Sequence, residues 1–138
     1  MKPVLLDTGA IVALLDRSEK YHEACAKTVQ GLYRPLITCE AVIAESCYLL
    51  RNLRGASEAV IENVVAGVFQ VPFQLSRDAP GVKQILRKYR DRKIHFAGAC
   101  LIQLADELRT GEILTLDRDF AIYRWGRNKT FQILPSRA

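Results

Sequence analysis

Short apolar runs and helix-like repeats of apolar residues alternate along the chain. The run Val4-Leu5-Leu6 is typical of a strand buried on both faces, and the segment after it is typical of a helix. The same alternation continues to the end of the sequence. It predicts strands over 4–6, 36–38, 68–75, 112–115 and 131–134, and helices over 8–15, 22–32, 40–54, 57–66, 76–90 and 96–108.

This alternation predicts an α/β fold in which a parallel sheet is covered by helices on both faces. At 138 residues the chain is long enough for one domain with a substantial core and too short for two ordinary ones, so a single domain over residues 1–138 is expected. The apolar residues near the N-terminus are interrupted by Asp7, in a stretch too short to span a bilayer. We therefore expect neither a signal peptide nor a membrane anchor.

The spacing of the cysteines indicates neither a zinc site nor a disulfide framework. Cys25, Cys39, Cys47 and Cys100 form no CxxC or CxxxC pair. They are typical of small buried hydrophobic residues in a reducing compartment. The expected location is therefore cytoplasmic.

An excess of basic residues marks the second half of the chain. The formal net charge is +5 and the pI is near 9.2, and residues 87–93 read RKYRDRK. This surplus favours a polyanionic partner, although a solvated basic helix face explains the same segment without any ligand. The residues expected to contact a phosphate backbone are Arg87, Arg90, Arg92 and Lys93.

Two aspartates come directly after predicted strands. Asp7 follows the first strand, and Asp117 lies one residue beyond the strand that ends at Thr115. Ligands of an open parallel sheet bind beyond the carboxyl ends of its strands, so both side chains are expected at one rim. Each also fits an ordinary N-cap or turn residue. Asp119 fits the cap of a short helix that begins at Phe120, an arrangement that would leave Asp117 available for another task.

Glu45 is the third candidate acid. It lies in the predicted helix 40–54, three residues after Val42 and four before Leu49 on one face. A carboxylate flanked by core residues is rarely buried without a partner. A salt bridge to an arginine, or an edge position in solvent, explains Glu45 equally well.

Three carboxylates at one rim would raise one another's pKa values unless a cation neutralised them. A donor set made of oxygen atoms suits Mg²⁺ or Mn²⁺, which bind a few carboxylates and keep several waters. Beside a basic surface, such an ion can generate hydroxide, align a phosphodiester and stabilise the leaving oxygen. The pattern thus points to metal-assisted phosphodiester chemistry.

Four segments in order resemble the PIN-domain family, and within it the VapC-type toxins of bacterial and archaeal toxin–antitoxin pairs. They are LLDTGA at 5–10, TCEAVIAE at 38–45, FAGACL at 96–101 and LTLDRDF at 114–120. The resemblance implies a three-layer α/β/α sandwich with a central parallel sheet, a Mg²⁺ or Mn²⁺ site and cleavage of RNA. It also implies a homodimer and a small antitoxin protein that plugs the acidic groove.

The resemblance also assigns roles to residues of this chain. Asp7 and Glu45 match the first two acidic positions of the family and Asp117 the fourth, which makes them the implied catalytic acids and metal ligands. Asp119 lies beside the fourth position and could assist in binding the metal. The matching hydroxyl residues, which often orient a water or phosphate at such sites, are Thr8 and Thr115.

Gly98 departs from the family pattern. The family normally has an aspartate here, and often a second acid three positions earlier, where this chain has His95. A glycine inside a helix costs roughly 1 kcal/mol relative to alanine, so either a close backbone approach or decay of the site has to explain it. His95 is either structural or a substitute ligand for Mn²⁺. Asp106 is a poor replacement because it lies about 12 Å further along the helix axis.

Three functions compete. An active ribonuclease would use Asp7, Glu45 and Asp117 to hold the metal, while the basic residues bind the RNA backbone. A catalytically silent PIN-like module, motivated by Gly98, would bind RNA or a protein without turnover. A phospho-acceptor signalling domain also places acids at strand ends, but it needs an acidic pair after the first strand and a lysine later. The segment around Asp7 offers one acid.

Overall fold

A computed structural model describes residues 2–136 of the chain, and within them six α-helices alternate with short strands. The strands are β1 (Val4–Leu6), β2 (Leu36–Ile37), β3 (Phe69–Gln70), β4 (Glu112–Leu114), β5 (Arg124–Trp125), β6 (Lys129–Thr130) and β7 (Gln132–Leu134). The helices are α1 (Thr8–Leu15), α2 (His22–Gly31), α3 (Glu40–Leu49), α4 (Ala56–Val65), α5 (Leu75–Lys88) and α6 (Phe96–Leu108). Single 3-10 turns cover Arg90–Arg92 and Arg118–Ala121.

Within this described part, five strands form a parallel sheet in the order β3-β2-β1-β4-β7. The central strand β1 pairs with β2, where Leu5 lies opposite Ile37, and with β4, where Leu5 lies opposite Ile113. Val4, Leu5 and Leu6 are completely buried, as expected for a continuous apolar run covered on both faces. The predicted parallel sheet is confirmed.

The direction of the crossovers distributes the helices over the two faces of the sheet. From β1 through β2 to β3 the chain moves toward one edge by way of α1 to α4, and it returns to β4 through α5 and α6. Right-handed crossovers that run in opposite directions place their helices on opposite faces. Accordingly, α1 packs with α2, α3 and α4, while α5 packs with α6. The architecture is a three-layer α/β/α sandwich.

Several predicted boundaries were wrong. The helix predicted over 40–54 ends at Leu49, and turns lead from it to Gly55, whose φ of 78° is a left-handed conformation that glycine adopts readily. The strand predicted over 68–75 is limited to Phe69–Gln70, because Leu75 already begins α5. The antiparallel pair β5–β6 was missed, because its two-residue strands are too short for a periodic pattern.

The cysteines lie largely where the sequence placed them. Cys25, Cys39 and Cys100 are buried free thiols, whereas Cys47 is a half-buried one. They therefore pack mainly as small apolar side chains. Between residues 2 and 136, no helix combines the length and the apolar character needed to cross a membrane.

Candidate active site

A cavity of about 330 Å³ opens beyond the carboxyl ends of β1 and β4. Asp7, Glu45 and Asp117 all line it, although they come from distant parts of the sequence. The structure thus brings together the three acids that the sequence analysis placed at one rim. Other residues that line the cavity include Thr8, His95, Gly98, Phe120 and Tyr123.

Asp7 lies where β1 gives way to α1. Its backbone N–H donates to Leu114 O at 3.0 Å, across the pair of central strands. Its Oδ1 accepts the Thr8 N–H at 2.8 Å, so Asp7 is the N-cap of α1. Capping and a functional role are compatible here, because the cap uses one carboxylate oxygen and leaves Oδ2 for other contacts.

Thr115 holds that second oxygen. Its Oγ1–H donates to Asp7 Oδ2 at 2.7 Å, and the same Oγ1 accepts the Asp117 N–H at 3.0 Å. Thr115 is only 2 % exposed, so its hydroxyl forms a buried link between the end of β1 and the segment after β4. Since its one O–H is used by Asp7, Thr115 orients a carboxylate.

Asp117, and not Asp119, is the cap after β4. Asp117 is the cap, because its Oδ1 accepts the Asp119 N–H at 2.9 Å at the start of the 3-10 turn Arg118–Ala121. The prediction that Asp119 caps a helix beginning at Phe120 is wrong, because the turn begins two residues earlier. Asp117 is exposed at the cavity, whereas Asp119 is half-buried and lies outside the residues that line it.

Glu45 reaches the cavity from α3. Val42, on the preceding turn, is completely buried, but Leu49 on the following turn is 53 % exposed and Glu45 itself is exposed. The expectation that core residues flank Glu45 on both sides is therefore wrong. The face of α3 that carries Glu45 and Leu49 borders the cavity, and this explains how a carboxylate is accommodated there.

The environment of Asp7 disfavours its ionised form. Burial is the largest influence and raises the Asp7 pKa, hydrogen bonds from Thr115 and Thr8 lower it, and the charges of Asp117 and Glu45 raise it again. The net shift of the Asp7 pKa is upward. Because Asp117 and Glu45 act on Asp7 in this way, the three carboxylates share one electrostatic environment.

The chemistry of these donors fits a hard divalent cation. Among residues 2–136, no basic side chain forms an ion pair with Asp7, Glu45, Asp117 or Asp119. In the same range, no group of three or more His, Cys, Asp or Glu side chains is arranged as a ready-made metal site. Carboxylate oxygens are the protein ligands that Mg²⁺ and Mn²⁺ prefer, with waters completing the coordination. Such an ion would also neutralise the charge that raises the Asp7 pKa.

Thr8 contributes a hydroxyl that the protein leaves unused. The residue lines the cavity and is 5 % exposed, and its Oγ1 is buried without a hydrogen-bond partner in the part of the chain that the structure describes. Buried hydroxyls in native proteins are nearly always paired. An unpaired one beside Asp7 is therefore consistent with a water or ligand in this cavity.

Comparison with known proteins decides the family. The family model described as the PIN domain matches residues 4–126. The chain belongs to the PIN domain family. It is 30% identical over 135 residues to "Ribonuclease VapC26" of Mycobacterium tuberculosis, covering 96% of this chain and 100% of that protein. Its fold is similar to that of Mycobacterium tuberculosis VapC20, a sarcin-ricin loop cleaving toxin, with a TM-score of 0.78 and 17% identity over 86% of this chain and 93% of that one.

Gly98 of this PIN domain is not required by close packing. A Cβ at this position would lie 3.6 Å from Ile94 Cγ1 and 3.9 Å from its Cδ1, which are ordinary van der Waals distances. Of the two explanations for Gly98, a close backbone approach is therefore excluded. His95, the exposed N-cap of α6, makes no capping hydrogen bond with its side chain and lines the same cavity. The space beside these two residues can accept a larger side chain.

The four basic residues predicted to contact RNA lie at different places on the PIN domain. Arg87 and Arg90 line a separate groove of about 350 Å³ along α5. Arg92 is close enough to Tyr123, a cavity residue, to lower the pKa of its phenol. Lys93 is exposed and has a left-handed φ of 54°. Of these four residues, Arg92 is the one with an electrostatic influence on a residue of the acidic cavity.

Tyr123 is a cavity residue that the sequence analysis missed. It lies two residues beyond the 3-10 turn Arg118–Ala121, and its ring packs against Phe120. No motif or charge distinguished it from an ordinary core aromatic. Its position at the cavity depends on tertiary packing, which local pattern does not reveal.

Proposed function

We propose that this PIN domain is a divalent-metal-dependent endoribonuclease and the toxin of a toxin–antitoxin pair. The observation that carries the proposal is the meeting of Asp7, Glu45 and Asp117 at one cavity, without a basic partner among residues 2–136. The match to a relative named as a ribonuclease over almost the whole chain supports the reaction class. The basic net charge of +5 favours RNA as the polyanion.

In this proposal, Asp7, Glu45 and Asp117 hold Mg²⁺ or Mn²⁺, with Asp119 beside them. The ion, when bound, supplies Lewis acidity and lowers the pKa of a coordinated water. The protein's own contribution is to orient the acids. Thr115 and the Thr8 N–H fix both oxygens of Asp7 through the hydrogen bonds described above.

The remaining groups would bind the RNA and position its backbone at the cavity. Arg92 supplies a positive charge toward the cavity end at Tyr123, and the Arg87 and Arg90 groove offers a second contact for the phosphate backbone. The unpaired Thr8 hydroxyl is available to orient a water or a phosphate oxygen. Cleavage of the sarcin-ricin loop, the activity of VapC20, is one candidate reaction to test.

The partners are further proposals. An antitoxin protein that covers the acidic cavity is proposed from the family and from the relative's name. A homodimer is proposed because the α3–α4 side carries exposed apolar side chains, among them Tyr48 at 62 % and Val65 at 73 %. Light scattering during gel filtration checks the dimer. A cytoplasmic location stays a prediction.

The deciding experiment compares RNA cleavage by the parent protein with that by Asp7→Asn and Glu45→Gln. We expect cleavage in Mg²⁺ or Mn²⁺ that EDTA abolishes, and a loss of about 100-fold or more in both variants. Glu62→Gln is the matched control, because Glu62 is exposed on α4, away from the cavity. Cleavage that persists in EDTA, or equally in Asp7→Asn, would contradict the proposal.

The same experiment addresses the other hypotheses. RNA binding without cleavage, converted to cleavage by Gly98→Asp, would favour the catalytically silent module. Because the chain belongs to the PIN domain family, the hypothesis of a phospho-acceptor signalling domain has no support.

A further inference from the structure

Tyr123 has an aromatic ring that belongs to the core. The residue is 2 % exposed and lies between the 3-10 turn and β5. Its ring packs edge-to-face against Phe120, with centroids 5.1 Å apart, and against Tyr89, with centroids 4.9 Å apart. A ring held in this way has no free face on which a nucleobase could stack.

The hydroxyl of Tyr123 is not used by the fold. No residue within 2–136 forms a hydrogen bond with it, although the side chain lines the acidic cavity with Asp7 and Asp117. The neighbouring Tyr89 provides the contrast, because its hydroxyl accepts the Arg124 N–H at 2.8 Å. Buried tyrosines normally find a partner for the O–H, so the Tyr123 hydroxyl is left for something that enters the cavity.

The charges around Tyr123 keep it a hydrogen-bond donor. Burial raises its pKa to about 12, with contributions from Asp119 and Asp117, while Arg92 lowers it. The phenol is therefore protonated at any pH near neutrality. A neutral donor in the cavity complements the carboxylates, which only accept hydrogen bonds and repel anions.

We propose that Tyr123 is a substrate-binding residue whose hydroxyl donates a hydrogen bond to a non-bridging phosphate oxygen of the RNA. The inference rests on the proposed ribonuclease function and extends it. A phosphate is favoured over a base because the packed ring excludes stacking.

The test uses Tyr123→Phe, which removes one oxygen and keeps the packed ring. Tyr89→Phe is the matched control, because it removes a hydroxyl that serves the fold and not the cavity. In the Asp7→Asn background, which prevents cleavage, binding of a short fluorescent RNA that the parent cleaves is measured by anisotropy. We expect Tyr123→Phe to weaken RNA binding about ten-fold, as for a lost hydrogen bond to a charged group, with unchanged thermal stability. Tyr89→Phe is expected to lower stability and leave RNA binding unchanged.

A second measurement tests whether the Tyr123 hydroxyl contacts the phosphate directly. The same RNA with a neutral methylphosphonate at the cleavage position lacks the charged oxygen, so Tyr123→Phe should then lose most of its ten-fold effect. Equal RNA binding by Tyr123→Phe and its parent, or the same loss with both RNAs, would overturn the inference. A Tyr123→Phe defect in Mn²⁺ binding in place of RNA binding would also overturn it. If the parent neither binds nor cleaves RNA in Mn²⁺, the proposed function fails first and the inference with it.

Discussion

The Thr115 hydroxyl donates to Asp7 Oδ2 at 2.7 Å, joining residues 108 positions apart in the sequence. The same oxygen accepts the Asp117 N–H at 3.0 Å. One buried hydroxyl thus fixes the carboxylate of the first acid and the backbone of the last. Changing it tests how the acidic cavity is held together.

We expect Thr115→Val to lower the free energy of unfolding by about 1–3 kcal/mol, because it leaves Asp7 Oδ2 and the Asp117 N–H without their partner. We also expect Mn²⁺ affinity to fall about 10- to 100-fold, as when groups that orient a metal ligand are removed. Urea unfolding and calorimetric titration measure the two effects. Thr115→Ser retains the hydroxyl and should resemble the parent, so equal losses in Ser and Val variants would contradict the explanation.

Asp7→Asn should raise the melting temperature at pH 7 in EDTA. The folded-state pKa of Asp7 lies above its usual 3.8, so the native state holds the proton longer than the unfolded state and stability falls as pH rises above 3.8. Asparagine removes this penalty, its Oδ1 can still accept the Thr8 N–H, and its Nδ2–H can donate to Thr115 Oγ1 in the reverse of the present direction. The gain should vanish below pH 3.8, as followed by circular dichroism.

Asp16→Asn is a control, because its effect on the melting temperature should be opposite to that of Asp7→Asn. The Asp16 pKa is lowered by hydrogen bonds from Ser18, so its ionised form stabilises the fold and that stability is lost as pH falls. Asp16→Asn should therefore lower the melting temperature at pH 7. A gain for Asp7→Asn that does not change with pH would show that ionisation is not its cause.

Mn²⁺ should stabilise the parent protein against heat. A ligand at 100 times its dissociation constant adds about 2.7 kcal/mol to the free energy of unfolding. We expect Asp7→Asn and Glu45→Gln to lose most of this shift and Glu62→Gln to keep it, as measured by differential scanning fluorimetry. A shift of equal size in all of these variants would place the ion elsewhere.

Gly98→Ala should raise the free energy of unfolding by about 0.5–1 kcal/mol, because a Cβ meets Ile94 at ordinary distances and restricts the unfolded chain. Gly98→Asp should in addition tighten Mn²⁺ binding about ten-fold or more, since it adds a carboxylate at the cavity. Calorimetric titration compares it with Gly98→Asn, which has the same shape without the charge. Equal Mn²⁺ affinity in the Asp and Asn variants would contradict this prediction.

Much of the fold follows from patterns that are local in the sequence. The apolar run Val4-Leu5-Leu6 is buried on both faces of the central strand, which is why it contains no alternating polar residue. Asp7 and Asp117 could be placed at one rim because parallel strands present their carboxyl ends at the same edge. Glu45 was chosen as a candidate because core residues were expected on both sides of it. That expectation was wrong, since the helix face that carries Glu45 borders the cavity.

The remaining features depend on contacts that no local pattern records. Either Asp117 or Asp119 could cap the turn after β4. In the structure Asp117 does, and its N–H also donates a hydrogen bond to Thr115 Oγ1. In the sequence, Tyr123 resembles any other core aromatic residue. Its place at the cavity follows from its packing against Tyr89 and Phe120. The space around Gly98 is likewise known only from the folded structure.

The pairing of β1 with β4 has a consequence for the life of the polypeptide on the ribosome. Asp7 emerges early and Glu45 soon after, but their partners Thr115 and Asp117 follow only about 70 residues after Glu45. A nascent or proteolytically shortened copy that stops before β4 has two of the three acids and lacks the Thr115 hydroxyl that orients Asp7. A protein proposed to cleave RNA therefore has its three acids aligned only after the ribosome has read the codons of Thr115 and Asp117 on its message.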